Sequence, residues 1–331
     1  MEVGTVLREM RSAAPPRAVD VMREAEERNW FRRYAHGQYI YLPPWVRLAR
    51  CFQESIRRRA IERLGFEEWL FPRMVPQPAL ESFHLTQFAP DLLVQADAAG
   101  TYFLDPVQCV SIYQFLRGHE INREKLPLKI VECMGGWTWR NEKEAEMDGP
   151  FRAREFLRVE HVYFGSPAEV VRIRREVQDG LLELLKGWAI SFQVVVGKGC
   201  MNLPYIEARQ LAATNADDVP VHDIEVPIRG ALRADPERES LKGSRHICLT
   251  DGAAREREND AFYLDSDEIC GCSSEGDHLV ASFNIRASDG LPVWSGCTGI
   301  GINRLVLAFL YQHGFDEARW PALEGYRQAA A

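Results

Sequence analysis

The chain reads as an α+β fold built on a mostly antiparallel sheet flanked by helices. Three observations predict this. Strand-like segments outnumber helical ones and many follow each other directly, which favours hairpins over βαβ units. The stretch from Gly135 to Gly165 reads as one long hairpin. Phe262 to Ile269 and Val280 to Arg286 read as a further antiparallel pair joined by a Gly/Ser-rich connection. In the central hairpin, Trp137, Trp139 and Asn141 alternate with Thr138, Arg140 and Glu142, the period of two that a strand imposes. Lys143 to Pro150 is charged and closes on Asp148-Gly149-Pro150, a loop signal. The returning arm, Phe156 to Phe164, is rich in aromatic and β-branched residues.

The other elements follow in order. Residues 1 to 35 are polar, Arg/Glu-rich and broken by Pro15-Pro16, which predicts one or two short surface helices as an N-terminal helical extension. Residues 36 to 331 are expected to form a single domain. Pro44 suits a first helical turn, Ala49, Phe52, Ile56, Ala60 and Leu64 recur at helical spacing, and Gly65 sits where a C-terminal cap belongs. Phe66 to Pro72 then reads as a strand. A long helix joined to an edge strand is ordinary core or a self-pairing surface. Leu80 to Ala99 reads as a loop with a short helix, Thr101 to Cys109 as a strand, Ser111 to Gly118 as a helix and Leu126 to Glu132 as a strand. Ser166-Pro167-Ala168-Glu169 is a capping box, and Val170, Ile173, Val177, Leu181 and Leu184 make the buried stripe of the helix it opens. Ala189 to Val196 and Val219 to Ile228 read as strands, and residues 229 to 260 as charged and irregular. Pro292 to Ser295 leads through a glycine-rich turn, Gly296 to Arg304, into an apolar helix ending near Tyr311.

Composition narrows the function. Of 331 residues, 46% are hydrophobic and 27% charged, with 40 basic and 48 acidic side chains for a net charge of −8. That balance argues against a broad RNA-gripping surface, though a local patch is compatible with it. There is no apolar run long enough to span a bilayer and no signal peptide, so a cytoplasmic, non-membrane protein is expected. The eight cysteines are scattered with no CxxC pair, which suits free thiols or metal ligands better than disulfides.

No P-loop, HExxH or GxSxG motif is present. Gly299-x-Gly301-x-x-Arg304 mimics a dinucleotide fingerprint but carries arginine at the third glycine. A strand entering such a turn still lets a ligand approach closely, and Arg304 in the first turn of the following helix suits a phosphate. Arg140, Glu142, Arg152, Arg154, Phe156 and Glu160 lie along the central hairpin. Arginines, carboxylates and an aromatic ring on one face suit a polyanion with a flat base, such as ATP. The alternative is a cross-strand ladder of ion pairs.

These residues resemble the catalytic domain of class II aminoacyl-tRNA synthetases, specifically the seryl enzyme, over about residues 36 to 315. The helix and strand ending at Pro72 resemble motif 1, the dimer-forming element. Arg140-Asn141-Glu142 with Phe151 to Phe156 and Glu160 resemble motif 2, and Gly299 to Arg304 resembles motif 3. Asp223-Ile224-Glu225-Val226 and Glu268-Ile269-Cys270-Gly271-Cys272-Ser273 are similar to two further segments of the seryl enzyme. The resemblance implies roles. Arg140 would hold the α-phosphate and the substrate carboxylate, Glu142 the adenine amino group, and Phe156 would stack on adenine. Arg152 or Arg154 would reach the outer phosphates, Glu268 would bind Mg²⁺, and Arg304 the γ-phosphate. The substrate carboxylate is itself the nucleophile, so catalysis reduces to placement and charge neutralisation.

Two departures refine the expectation. Val107-Gln108-Cys109 replaces the usual Thr-x-Glu loop, and Gly296-Cys297 replaces Ser-Gly before motif 3. Cys109, Glu160 and Cys297 therefore resemble the Zn²⁺ site of atypical seryl enzymes and of amino acid:[carrier protein] ligases, where the metal binds the substrate amino group. Cys270 and Cys272, beside Glu268, are the rival ligands. The second departure is that a long tRNA-binding arm is not found before motif 1. The expectation is thus a homodimeric, zinc-dependent ligase that activates a small amino acid (glycine, alanine or serine) and passes it to the phosphopantetheine thiol of a carrier protein, with tRNA an unlikely partner. The alternatives are transfer to tRNA or to a small-molecule acceptor, or a catalytically silent regulatory paralogue.

Overall fold

The computed structural model describes residues 1–12, 20–144, 147–197, 204–228 and 266–326 in full, and the backbone of 245–250 and 253–258. Most of the stretch expected to be irregular between 229 and 260, Pro15-Pro16, and the start of the strand expected at Phe262 lie outside these residues.

One sheet of 11 strands organises the described chain. Its strands are β1 (Val6–Met10), β2 (Glu67–Glu68), β3 (Leu128–Glu132), β4 (Trp137–Trp139), β5 (Glu155–Gly165), β6 (Phe192–Val196), β7 (Val221–Pro227), β8 (Arg245–Thr250), β9 (Ala253–Glu258), β10 (Ser266–Gly276) and β11 (Trp294–Gly301). They run in the order β9-β8-β1-β6-β7-β10-β11-β5-β3-β2, with β4 paired to β5. Two pairs, β1 with β8 and β2 with β3, are parallel and the others antiparallel, so the sheet is mixed within an α+β fold.

The pleat divides the residues of the central strands between two faces. Val159 and Tyr163 of β5, Ile224 and Val226 of β7, Cys270 and Cys272 of β10 and Ile300 of β11 enter the main hydrophobic core. That core is completed by helices α2 (Pro43–Arg58), α4 (Pro167–Gly187) and α6 (Ile302–His313), through Phe52, Leu181 and Leu307 among others. The intervening residues, Phe156, Arg158 and Glu160, Val221 and Asp223, Gly271, Ser273 and Glu275, Cys297, Gly299 and Gly301, line a pocket on the opposite face. The capping box opens α4 as anticipated, with the Ser166 amide donating to Glu169 Oε2 at 2.8 Å.

Several elements differ from expectation. The first 35 residues include one short helix, α1 (Val21–Glu27), but also β1, which pairs with β6, and a hairpin of Phe31–Ala35 with Gln38–Tyr41. Val6 and Leu7 are buried, so burial against a distant strand overrides the polar look of the segment. Cys109 opens helix α3 (Cys109–Phe115) instead of ending a strand. Val280 lies in a short helix, His278–Ser282, and does not pair with β10; β10 pairs with β7 and β11. Helix α5 (Pro204–Ala212) was not anticipated.

Candidate active site

The pocket grades from an open end to a buried end. At the outer end Glu268 is exposed; at the inner end Val107, Cys109, Val221, Ser273 and Glu275 are buried. Strand β11 runs directly into α6, which sets Arg304 in the first helical turn. Arg304 Nη1 donates to the Glu268 carbonyl at 2.6 Å and Nε to the Phe151 carbonyl at 3.1 Å. Its guanidinium lies 4.5 Å from the Phe151 ring centroid. These contacts fix the stem and fork of the arginine before any ligand arrives.

On the central hairpin, Arg140 Nε donates to the Pro106 carbonyl at 3.1 Å, and its guanidinium lies 5.4 Å from the Phe156 ring centroid. Arg152 Nε pairs with Glu142 Oε2 at 2.9 Å. Arg140, Glu142, Arg152, Phe156, Glu268 and Arg304 thus line one pocket. Arg154 does not join them: its guanidinium donates to Asn141 Oδ1 at 3.2 Å and its stem lies against Gly37. The result is a row of guanidinium groups along a wall with the Phe156 ring beside Arg140, suited to a nucleoside polyphosphate.

The inner end gathers three groups from distant parts of the chain. Ligand atoms of Cys109, Glu160 and Cys297 lie within 4.8 Å of one another. Two strands and a helix start deliver them: Glu160 from β5, Cys297 from β11 and Cys109 from α3. Burial raises the Glu160 carboxyl above its ordinary range even though Arg158 Nη2 sits 2.8 Å away. A hydrogen bond from Cys109 pulls the Cys297 thiol down, but burial and the nearby carboxyls of Glu160 and Glu275 drive it up. Buried acids held above their usual range favour a cation among them, and two sulfurs with one carboxylate are a donor set that suits Zn²⁺. Cys270 and Cys272 sit 3.8 Å apart, sulfur to sulfur, on the core face and not in the pocket.

A buried ion network supports the Cys109 loop. Arg73 pairs with Glu132 and, at 3.3 Å, with Asp105; Gln108 Nε2 donates to Glu132 Oε2 at 3.1 Å. Burial, partly offset by Arg73, pushes the Asp105 carboxyl up to about 7.

Sequence reasoning did not single out Arg158 or Glu275, both of which line the pocket, nor give Asp223 a place in it. Asp223 was visible only as part of a segment. The alternation of β5 carried a signal for Arg158, because it lies on the same face as Phe156 and Glu160.

A mixed sheet with one helix-covered face and an arginine-lined pocket on the other is the architecture of a class II aminoacyl-tRNA synthetase core. The chain belongs to the family described as the tRNA synthetase class II core domain (G, H, P, S and T), which matches residues 93–313. Within that family it is homologous to type-2 serine–tRNA ligases. It is 29% identical to the enzyme of Methanopyrus kandleri over 364 residues, covering 97% of this chain and 62% of that protein. It is 27% identical to the enzyme of Methanococcus aeolicus, covering 92% of this chain and 58% of that protein. The chain therefore spans about three fifths of the length of these relatives. The seryl-tRNA synthetase of M. kandleri, solved in complex with A. aeolicus tRNASec, superposes with a TM-score of 0.79 at 27% identity, over 97% of this chain and 62% of that one. A cytoplasmic serine-tRNA ligase from Naegleria fowleri in complex with AMP gives a TM-score of 0.69 at 15% identity over 98% of this chain and 64% of that one, a likeness of fold.

These relatives overturn two expectations. A carrier-protein thiol as acceptor, and tRNA as an unlikely partner, do not stand against relatives named serine–tRNA ligases and a structural match solved with tRNA. The physical reason is that net charge averages over the whole surface and says little about one local RNA contact. No helix among the described residues is long and apolar enough to cross a membrane.

Proposed function

We propose that the pocket activates serine, or a close small analogue, with ATP, and that the activated amino acid is passed to the 3′ end of a tRNA. The observation that carries the activation step is the convergence of Arg140, Phe156, Glu268 and Arg304 on one pocket whose buried end holds Cys109, Glu160 and Cys297. The homology to serine–tRNA ligases supports the amino acid and the acceptor.

In this reading adenine lies on Phe156, and Arg140 reaches the α-phosphate and the amino-acid carboxylate. Arg304, with Arg152 braced by Glu142, takes the outer phosphates. Glu268 at the mouth would hold Mg²⁺ on the phosphates, and Cys109, Glu160 and Cys297 would hold Zn²⁺, which when bound supplies a Lewis-acid site for the substrate amino group. A carboxylate oxygen of serine attacks the α-phosphorus, the bond to the bridging oxygen breaks, and pyrophosphate leaves. The arginines neutralise charge that grows on the phosphate oxygens, and their preset contacts mean little reorganisation is needed. A ribose hydroxyl of the tRNA terminus then attacks the carbonyl carbon of the seryl-adenylate, an ester bond forms, the acyl–phosphate bond breaks and AMP leaves.

The segment before residue 36 adds β1 to the same sheet and Val21 and Phe31 to the same core, so it would act with residues 36 to 331 as one catalytic unit, paired with a second copy. Leu70, Met74, Phe115 and Met134 are exposed apolar side chains around the segment that resembles motif 1, with Leu70 59% and Met134 74% accessible. That density of exposed apolar groups fits a self-pairing surface.

The test is amino-acid-dependent pyrophosphate–ATP exchange with glycine, alanine and serine, followed by charging of tRNA with the amino acid that gives exchange. Exchange with serine, lost on zinc chelation and restored by Zn²⁺, is the expected result. Absence of exchange with all three in zinc-loaded protein would refute the activation step. Exchange without any charging of tRNA would refute the acceptor alone.

A further inference from the structure

The inner wall of the pocket carries a carboxyl group that carboxylate activation does not use. Glu275 sits on the pocket face of β10 with Gly271 and Ser273, and is 6% exposed. Its Oε1 accepts a hydrogen bond from Ser273 Oγ at 2.5 Å and lies 4.0 Å from Cys297 Sγ. Its Oε2 accepts from Tyr205 Oη of α5 at 3.0 Å. Arg209, one helical turn beyond Tyr205, donates to the carbonyl and hydroxyl of Ser274 and lies over the Trp294 ring at 4.9 Å. Its charge is thus nearby but directed at Ser274.

A carboxylate offers about four acceptor positions. Two hydroxyls and, at 4.0 Å, the Cys297 thiol fill three of them, and the group still borders the cavity. Of the other inner walls, Phe83, Val107 and Val221 are apolar, and the Ser273 hydroxyl is turned to Glu275 and Cys297. Position follows from connectivity. An amino acid whose amino group lies at the Cys109, Glu160 and Cys297 cluster has its β-carbon two bonds from that nitrogen, and so within a few ångströms of Cys297. Glu275 is the acidic group standing there.

We propose that Glu275 is the specificity-determining acceptor for the substrate side chain, and that it selects a small amino acid with a hydrogen-bond donor on its β-carbon, a hydroxyl or an amine, over glycine and alanine. This rests on the reading of the pocket as an amino-acid-activating site. A site built to pair a buried polar group with the substrate rejects analogues that lack the donor far more strongly than an apolar pocket does.

The experiment measures kcat/KM in pyrophosphate–ATP exchange for serine, alanine, glycine and 2,3-diaminopropionate, in wild type and in Glu275→Gln, with zinc content determined for both. The wild type favours serine or diaminopropionate over alanine by about 100-fold or more, which also tells hydroxyl from amine. In Glu275→Gln that ratio falls at least about tenfold, mostly through the KM of the donor-bearing substrate, and zinc content is unchanged. An unchanged ratio overturns the proposal. So does loss of zinc, which would make Glu275 a support of the metal site. Should the variant fail to fold, the wild type decides: seryl- and alanyl-sulfamoyl adenosine are titrated calorimetrically, and equal affinities overturn the proposal. Wild-type exchange with none of the amino acids defeats the underlying activation reading instead, so the two failures remain distinct.

Discussion

Gly299 of β11 lies directly opposite Glu160 of β5 in the antiparallel ladder, and the absence of a side chain there is what lets the Arg158 guanidinium reach the Glu160 carboxylate at 2.8 Å. A Cβ at position 299 would overlap both Arg158 and Glu160. The requirement is for space and not for a left-handed backbone. It couples the glycine-rich end of β11 to a candidate metal ligand on β5.

Gly299→Ala should therefore displace Glu160 without unfolding the sheet. Overpacking of this kind costs about 1–3 kcal/mol. The expected outcome is a lowered thermal midpoint together with weakened zinc retention on dialysis. Unaltered zinc affinity at full stability would show that the crossing at Gly299 is not needed.

Cys109→Ser should lose bound zinc and amino-acid activation together, because serine is a poor ligand for the metal and the other two donors come from separate strands. Metal analysis of the purified variant checks this. Full zinc occupancy in the variant would remove Cys109 from the ligand set.

Arg304→Ala should raise the KM for ATP by roughly 10- to 100-fold, equivalent to about 1.5–3 kcal/mol for a charge-assisted contact. Zinc content should stay the same, since Arg304 lies at the opposite end of the pocket from Cys297. Unchanged dependence on ATP would dissociate Arg304 from the phosphates.

His222 should make the fold acid-sensitive. Burial, with Arg174 nearby, holds its folded pKa at about 3 against an ordinary 6.5. Its Nε2 lies 2.9 Å from the Ala216 carbonyl and its Nδ1 2.9 Å from Gln178 Oε1. A depressed folded pKa means that the unfolded chain binds the extra proton. The contribution is complete above pH 6.5 and is lost as pH falls toward 3, up to on the order of 4 kcal/mol. Urea denaturation between pH 7 and 4 should show a steeper loss in wild type than in His222→Gln, and parallel profiles would contradict the assignment.

Leu70→Glu should shift the protein from dimer to monomer in sedimentation velocity. A variant that remains dimeric would place the self-association surface elsewhere.

What the sequence disclosed follows from how local each signal is. The central hairpin was readable because Trp137 to Glu142 alternate and Phe156 to Phe164 are rich in strand-formers. The helix from Ser166 was readable from its cap and stripe. Strand β1 was not, because Val6-Leu7-Arg8-Glu9-Met10 is as compatible with a helix as with a strand, and its partner Phe192–Val196 lies far along the chain. The grouping of Cys109, Glu160 and Cys297 could not be derived from spacing, since three elements bring them together; only the resemblance pointed to it. Glu275 escaped notice for the same reason. In Ser273-Ser274-Glu275-Gly276 it looks like a polar turn, yet it lies in a buried strand whose neighbours are β7 and β11.

The division of β5 into alternate residues has a consequence for how the family can change. Arg158 and Glu160 face the pocket while Val159 and Tyr163 hold the interior. Inserting or deleting one residue between Phe156 and Tyr163 would exchange the two sets, putting valine into the pocket and arginine into the oil. Length variation on this strand should thus come in pairs or not at all, whereas single substitutions on the ligand side leave the interior untouched. New substrates are reachable by swapping side chains one at a time, and the spacing along the strand is the part that cannot drift.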